Sequence, residues 1–491
     1  MTHRLTANIN YPIVLRTLGY LLIIEACFMM IPLAVSLFYN DDGIKGIMLS
    51  FVITLTAGVF MTYGITPARK EFSTREAILL TASVWLLFSL FGMLPFIFCK
   101  PRLGVIDALF EAVSGFTTTG ATVILNVEEL SHGVLMWRAL MHWLGGMGII
   151  LFTLAVLPIL NYQGGIKLFN AEVSGITQEK LRPRVGGNAK SIWTVYIILT
   201  LCDFLLLLLG PMSIFDALCH SMSTVATGGF STKNASIAYW GDWYTTVVTM
   251  VFMFLGGVNF QLIYLAATGR YKALLHNDTF HWYIVIILVV YLTILSRLLY
   301  EGYYDTWQEY AVYPLFQVIS GITSTGFFAD SFEKWGDAAH ILIMMIMFFG
   351  ACAGSTTSGA KIDRLMVLLK NTKYEFFKLL HPNSVKVLRV NGKVLPPEVV
   401  YKVIAFLAVA LMIICISSLT LAMCGYDFQD SLFASISCLS NIGYGVGFTG
   451  DNGSFYDIVW QGKIVLMFLM ITGRLEIFTF LVVFTKYFWQ K

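Results

Sequence analysis

Long apolar runs separated by short polar stretches dominate the chain. Ten of them, near 12–38, 44–66, 76–98, 133–160, 191–213, 243–268, 280–300, 337–360, 399–424 and 462–486, are long enough to cross a bilayer as helices, because about 20 residues at 1.5 Å each span roughly 30 Å of hydrocarbon. The pattern predicts an all-α polytopic membrane protein. The first run, Tyr11 to Tyr39, is too long for a cleaved signal peptide and shows no small-residue cleavage site, so it reads as a retained span.

Between spans of the last eight helices lie four segments too short to cross and too apolar for ordinary loops. Aligned on a glycine, they share one pattern. Asp107, Leu109, Ser114 and Gly120 stand at relative positions 0, 2, 7 and 13, as do Asp216, Leu218, Ser223 and Gly229, and Asp430, Leu432, Ser437 and Gly443. The third copy keeps Leu315, Ser320 and Gly326 but has Tyr313-Pro314 at its start. Successive glycines are 109, 97 and 117 residues apart, from Gly120 to Gly229 to Gly326 to Gly443. The spacing predicts four tandem helix–pore helix/filter loop–helix repeats around one pore, preceded by an N-terminal two-helix unit. The units are 1–70 for the helix pair and 71–165, 185–272, 273–380 and 395–491 for the repeats.

Asp at position 0 reads as a helix N-cap, and Pro314 as a first helical residue. About ten helical residues reach about 15 Å, half the hydrocarbon thickness. Such a helix enters the membrane and stops midway, at Thr117-Thr118-Thr119-Gly120, Ala226-Thr227-Gly228-Gly229, Thr323-Ser324-Thr325-Gly326 and Ser440-Asn441-Ile442-Gly443. Non-helical backbone at that depth leaves carbonyls unsatisfied unless they line water or bind an ion. Four such ends, with the negative poles of their helices aimed at one axis, predict a cation filter. A set of ordinary glycine- and threonine-rich turns is the weaker alternative, because four copies keep one register.

Charge sets the orientation. Only 12% of the 491 residues are charged, against about 25% in ordinary soluble domains. Segment 361–393 is rich in Lys and Arg, whereas 301–337 carries Glu301, Asp305, Glu309, Asp330, Glu333 and Asp337 against Lys334 alone. By the positive-inside rule 361–393 is cytoplasmic and 301–337 external, and ten spans return both termini to the cytoplasm. The eight cysteines show no CxxC pair or metal-ligand spacing and read as packing residues. A GxSxG nucleophile motif, clustered metal ligands and a phosphate-binding glycine loop are all lacking, which argues against an enzyme. No span carries arginines at every third residue, which argues against a voltage sensor.

On these residues the chain resembles the Trk/Ktr/HKT superfamily of potassium transporters, and within it the TrkH type. The resemblance runs the whole length and includes the extra N-terminal helix pair. It is carried by Thr119-Gly120-Ala121-Thr122, Gly228-Gly229-Phe230-Ser231, Thr325-Gly326-Phe327 and Asn441-Ile442-Gly443-Tyr444-Gly445, with Trp143 to Gly148, Gly350 to Ser355 and Gly473-Arg474-Leu475-Glu476 after the filters. Tyr444 departs from it, since proline is frequent there.

The resemblance implies a filter for potassium formed by Thr118, Thr119, Gly120, Thr227, Gly228, Gly229, Ser324, Thr325, Gly326, Asn441, Ile442 and Gly443. It implies a homodimer with one pore per subunit in a bacterial inner membrane, partnered by a TrkA-like cytosolic nucleotide-binding ring. Potassium is the expected cargo, with rubidium as a stand-in and sodium only weakly carried; no nucleic acid is expected. A sodium- or proton-coupled symporter is the alternative, since broken helices also mark those proteins, although they show inverted halves rather than repeats of one direction.

Two features lie beyond the filter. The ten residues Gly350 to Gly359 include no large side chain, which predicts a break of the eighth span into a flexible loop. The resemblance makes this the gate, with Gly350, Gly354, Ser355, Thr356, Thr357, Gly359 and Lys361; close helix packing through Gly350 and Gly354 is the alternative. Arg474 and Glu476 interrupt the tenth span and cannot face one another on a helix. The resemblance places Arg474 in the conduit as a barrier, while an ion pair with Glu111, Asp203 or a Glu476 on another segment is the structural reading. Glu25, His142, Asp203 and His220 read as helix–helix hydrogen-bonding residues.

Overall fold

The computed structural model describes residues 9–66, 72–148, 185–384, 387–447 and 454–490. Five helices among them are long and apolar enough to cross a membrane unaided: Tyr11–Tyr39, Ile44–Tyr63, Thr74–Phe98, Asp278–Glu301 and Pro397–Met423. These helices stay apolar on their outer faces, where Leu288, Val289, Leu292, Leu411, Met412 and Ile416 are exposed. A helix that is apolar all round suits a lipid surround. The first two pair as an antiparallel hairpin in which Gly19 and Gly58 let the backbones approach closely.

The expected spans are less continuous than the sequence implies. The sixth is two helices, Trp243–Gly256 and Phe260–Ala267, bent by 104°, and the tenth is likewise split at Leu475-Glu476 with a bend of 114°. The eighth ends at Phe349 rather than residue 360. The fourth helix ends at Gly146, and the remainder of its expected run, 149–160, lies outside the described residues. Each break falls on or next to glycine, which forfeits about 1 kcal/mol of helix propensity relative to alanine. At 145, 256 and 473 the glycine's bare Cα lies against the end of a short helix, on Phe116 O, Val225 O and Leu439 O.

Four short helices, Val105–Phe116, Ile214–Val225, Trp307–Ile322 and Phe428–Leu439, occupy the middle of the fold. Their starts correct the expected caps. Asp107, Asp216 and Asp430 are third residues, not N-caps; Ser213 caps the second helix and accepts from the Asp216 N–H at 3.1 Å. An acidic third residue still faces the positive helix pole. The third helix begins two turns early, at a capping box of Thr306 and Glu309, which leaves Pro314 inside it. Outside the helical layers, Arg389–Val390 pairs with Lys393–Val394 across an Asn391-Gly392 turn. Both turn residues have positive φ, the requirement of a tight two-residue hairpin.

Candidate functional site: a four-segment ring above a glycine-rich loop

Each short helix ends in the same way. The N–H of Thr119, Gly228, Thr325 and Ile442 donates to the carbonyl of Ser114, Ser223, Ser320 and Ser437 at 2.9–3.0 Å. The preceding N–H, on Thr118, Thr227, Ser324 and Asn441, donates to Gly115, Thr224, Gly321 and Cys438 at 3.0–3.3 Å. This pair of bonds is a Schellman ending, which requires a left-handed residue. Thr118, Thr227, Ser324 and Asn441 have φ of 55°, 52°, 51° and 54°, a conformation that costs a side-chain-bearing residue roughly 1–2 kcal/mol. Two residues on, Gly120, Gly229, Gly326 and Gly443 are again left-handed, with φ of 80°, 86°, 87° and 83°. Alternate left-handed residues turn successive carbonyls toward one side, which an ordinary strand does not do.

The glycines also close a ring. A Cβ on Gly120 would strike Gly228 O, one on Gly229 would strike Thr325 O, one on Gly326 would strike Ile442 O, and one on Gly443 would strike Thr119 O. The first segment thus meets the second, the second the third, the third the fourth, and the fourth the first. Asn441 adds a side-chain tie across the last junction, donating to Thr119 Oγ1 and to Met470 O, both at 2.8 Å. All twelve expected filter residues therefore stand together around one axis.

Beneath the ring, residues 350–361 form a loop between helices Asp337–Phe349 and Ile362–Leu380. Gly350, Gly354, Gly359 and Lys361 have positive φ, so Gly350 and Gly354 are not a helical packing pair. The loop is bonded to its surroundings along its length. Cys352 N donates to Gly257 O at 3.1 Å, Asn259 Nδ2 to Ala353 O at 2.7 Å, and Ser358 N to Ser324 Oγ at 2.9 Å. Thr356 Oγ1 donates to Val225 O and Gly256 O, each at 3.1 Å, and Ser355 and Thr357 share a hydroxyl bond of 2.7 Å. Lys361 Nζ folds back onto Thr357 O.

Arg474, half-buried, reaches from the break in the tenth span to this loop. It donates to Thr356 O at 2.8 Å, and to Gly145 O and Gly146 O at 2.5 and 2.9 Å. Two of its expected carboxylate partners are engaged by other cations: Glu111 by Arg138 at 2.8 Å and Glu476 by Arg364 at 2.5 Å. Arg474 thus bonds main-chain oxygens beneath the ring, and Ser358 Oγ at 3.3 Å.

Of the four buried polar residues, His142 bonds Ser223 across helices at 3.0 Å, and His220 bonds Ser231 at 2.9 Å. Asp203 departs from expectation, since it is fully buried and neither carboxylate oxygen makes a hydrogen bond among the described residues. Glu25 departs in the same way, being fully buried with no hydrogen bond to its carboxylate among the described residues. Sequence reasoning missed Arg138. The signal was there in principle, a lone arginine in the apolar run from Val134 to Leu144.

Three comparisons bear on this arrangement. The family model described as "TrkH: Cation transport protein" matches residues 43–491. The Trk system potassium uptake protein TrkH of Escherichia coli is 34% identical over 98% of this chain and all of that protein, and that organism's TrkG is 32% identical over 96% of this chain and 97% of its own length. The crystal structure of the potassium transporter TrkH from Vibrio parahaemolyticus superposes with a TM-score of 0.88 at 32% identity, covering 98% of this chain and 100% of that one. Extent and identity together place this multi-pass membrane chain in the TrkH family of cation transport proteins.

Proposed function

We propose that this chain takes up potassium across a bacterial inner membrane through a gated, channel-like pore. The observation that carries the reading is the closed ring of four left-handed–x–glycine segments at the ends of four helices, a backbone suited to turning main-chain oxygens toward one axis. In this reading Thr118 to Gly120, Thr227 to Gly229, Ser324 to Gly326 and Asn441 to Gly443 replace the hydration shell of the ion. The relatives are named as potassium uptake proteins, which supports potassium as the cargo. The repeats span 71–165, 185–272, 273–380 and 395–491, after a helix pair at 1–70, with both termini cytoplasmic. Two copies form a homodimer, and a TrkA-like ring of nucleotide-binding subunits controls the gate.

The loop 350–361 is the gate in this reading, and its bonds to filter residue Ser324 and to the breaks at Gly256-Gly257 couple it to the ring. Arg474 is a barrier at the same level. A charge about 4 Å from a passing cation repels it by roughly 1 kcal/mol in water and roughly 4 kcal/mol at an effective dielectric of 20. Each 1.4 kcal/mol is about tenfold in rate, so a rate-limiting barrier between those limits slows passage about fivefold or more.

Flux into liposomes holding the purified protein tests the proposal. Potassium and rubidium flux should exceed sodium flux without fixed stoichiometry, and both Arg474→Ala and a shortened Gly350–Gly359 loop should raise it. Uptake strictly stoichiometric with sodium or protons would replace the channel-like reading by a symporter. Unchanged flux per folded molecule in both variants would make the loop and Arg474 scaffold.

A further inference from the structure

Each short helix carries a serine at position 7, yet the four hydroxyls do different things. In the third and fourth units Ser320 Oγ donates to Phe327 O at 2.6 Å and Ser437 Oγ donates to Tyr444 O at 2.7 Å. Each hydroxyl thereby staples its own helix to the residue just past its own filter glycine. In the first two units the direct staple is missing. Among the described residues Ser114 Oγ makes no hydrogen bond, and Ser223 Oγ reaches the residue past its glycine only through His142, whose Nδ1 it bonds at 3.0 Å and which also accepts from Phe230 N at 3.4 Å.

Something else holds the same place. Glu111, on the first short helix, accepts from Val123 N and Thr122 Oγ1, both at 3.0 Å, and pairs with Arg138 Nε at 2.8 Å. Arg138, on the helix His132–Gly146, donates through Nη1 to Ser231 O at 3.0 Å and lies 4.0 Å over the ring of Phe230. Phe230 stacks in turn on His142, with centroids 4.1 Å apart. One end of the pair therefore grips the residues after Gly120, and the other grips the two residues after Gly229. The side chains of Glu111 and Arg138 are 0% and 3% exposed.

We propose that the Glu111–Arg138 pair is a positioning element for ion selection, an ionic clamp that holds the outer flanks of the first and second segments where the serine staples are missing. The inference rests on the filter reading above. A buried pair is a demanding way to hold a backbone, because either charge alone is costly away from water. It does what a serine cannot, since it spans two segments and a hydroxyl reaches one. Charge balance matters as well. An arginine beside a cation path would repel the ion, and Glu111 cancels that field. Without the clamp the two flanks part, the carbonyls of the first and second segments recede from the axis, and the ring loses its preference for potassium over sodium.

The test uses full-length protein in liposomes and a double variant, Glu111→Gln with Arg138→Met, which removes both charges and so leaves neither stranded. The potassium-to-sodium flux ratio should fall at least fivefold, and the extra thermal protection that potassium gives over sodium should shrink. Arg138→Lys keeps the charge but not the two-ended reach, and should show a reduced ratio in the same direction. If the double variant is less stable by the same amount in potassium and in sodium, with the flux ratio unchanged, the pair is scaffold and the inference is overturned. Gly120→Ser separates the two levels. A flux ratio untouched by Gly120→Ser means the filter reading has failed, whereas a ratio lost in Gly120→Ser and kept in the double variant means that only the clamp has failed.

Discussion

The two halves of the ring reach the same backbone by different chemistry. In the third and fourth units a neutral hydroxyl, Ser320 or Ser437, closes a seven-residue loop back onto its own helix. In the first and second units a buried ion pair crosses between units, and among the described residues the matching Ser114 hydroxyl makes no hydrogen bond. Neutral staples are local and tolerant, since each depends on one helix. The ionic clamp is shared and demanding, since it leaves a buried charge when either partner goes. One geometry, φ near 50° and then near 85° in every segment, is thus over-determined in two ways, and the halves should respond differently to the same kind of damage.

The largest effect is expected where the clamp is broken from one side. Glu111→Ala strands Arg138 among buried groups at a cost of about 3–5 kcal/mol, which should appear as a marked loss of folded yield and melting temperature. A variant as stable as the parent would mean that water reaches Arg138 and that the two halves are less different than they look.

Damage to the glycines should erase the contrast. Gly120→Ser in the first half and Gly326→Ser in the second each force a side chain into a neighbouring carbonyl and into a left-handed backbone, at about 1–3 kcal/mol of strain. Both should lower potassium preference in ion-replacement flux assays to a similar degree. Loss in one alone would show that only one half of the ring selects.

The staples come next. Ser437→Ala or Ser320→Ala leaves a buried carbonyl unpaired, at about 1–3 kcal/mol, so each should lower the melting temperature more than a surface change does. Ser114→Ala, at the equivalent position, removes a buried hydroxyl with no hydrogen bond among the described residues and should cost less than either. A Ser114→Ala effect as large as that of Ser437→Ala would abolish the distinction between the halves.

Much of this was legible beforehand because the repeat constrains itself. Gly120, Gly229, Gly326 and Gly443 each need a left-handed backbone and space at Cα, so the demand surfaces as the same letter at the same spacing. Ser324, Thr118, Thr227 and Asn441 were placed in the ring by that register, though their left-handed backbone was not apparent from residue type. The helix starts were harder. Thr306 and Glu309 made a better cap than anything near Pro314, and a capping box decides a start locally. The breaks at 256–260 and 474–477 leave no mark on the hydropathy, which averages over a window and does not register a turn of 104° or 114°.

What the sequence determined by itself was whatever follows from periodicity and from single-residue demands: apolar length, the four-fold register, the glycines, and the small-residue loop at 350–359. Tertiary structure decided what depends on which distant groups meet. It joined Arg138 to Glu111, 27 residues away, and on to Ser231 in another unit. It set Arg474 on the carbonyls of Gly145 and Thr356, more than a hundred residues away, and Glu476 on Arg364. A buried charge states in the sequence only that it must be satisfied. Which partner satisfies it is a matter of packing, because several carboxylates and carbonyls in the chain offer the same chemistry and only the folded backbone brings one of them within 3 Å.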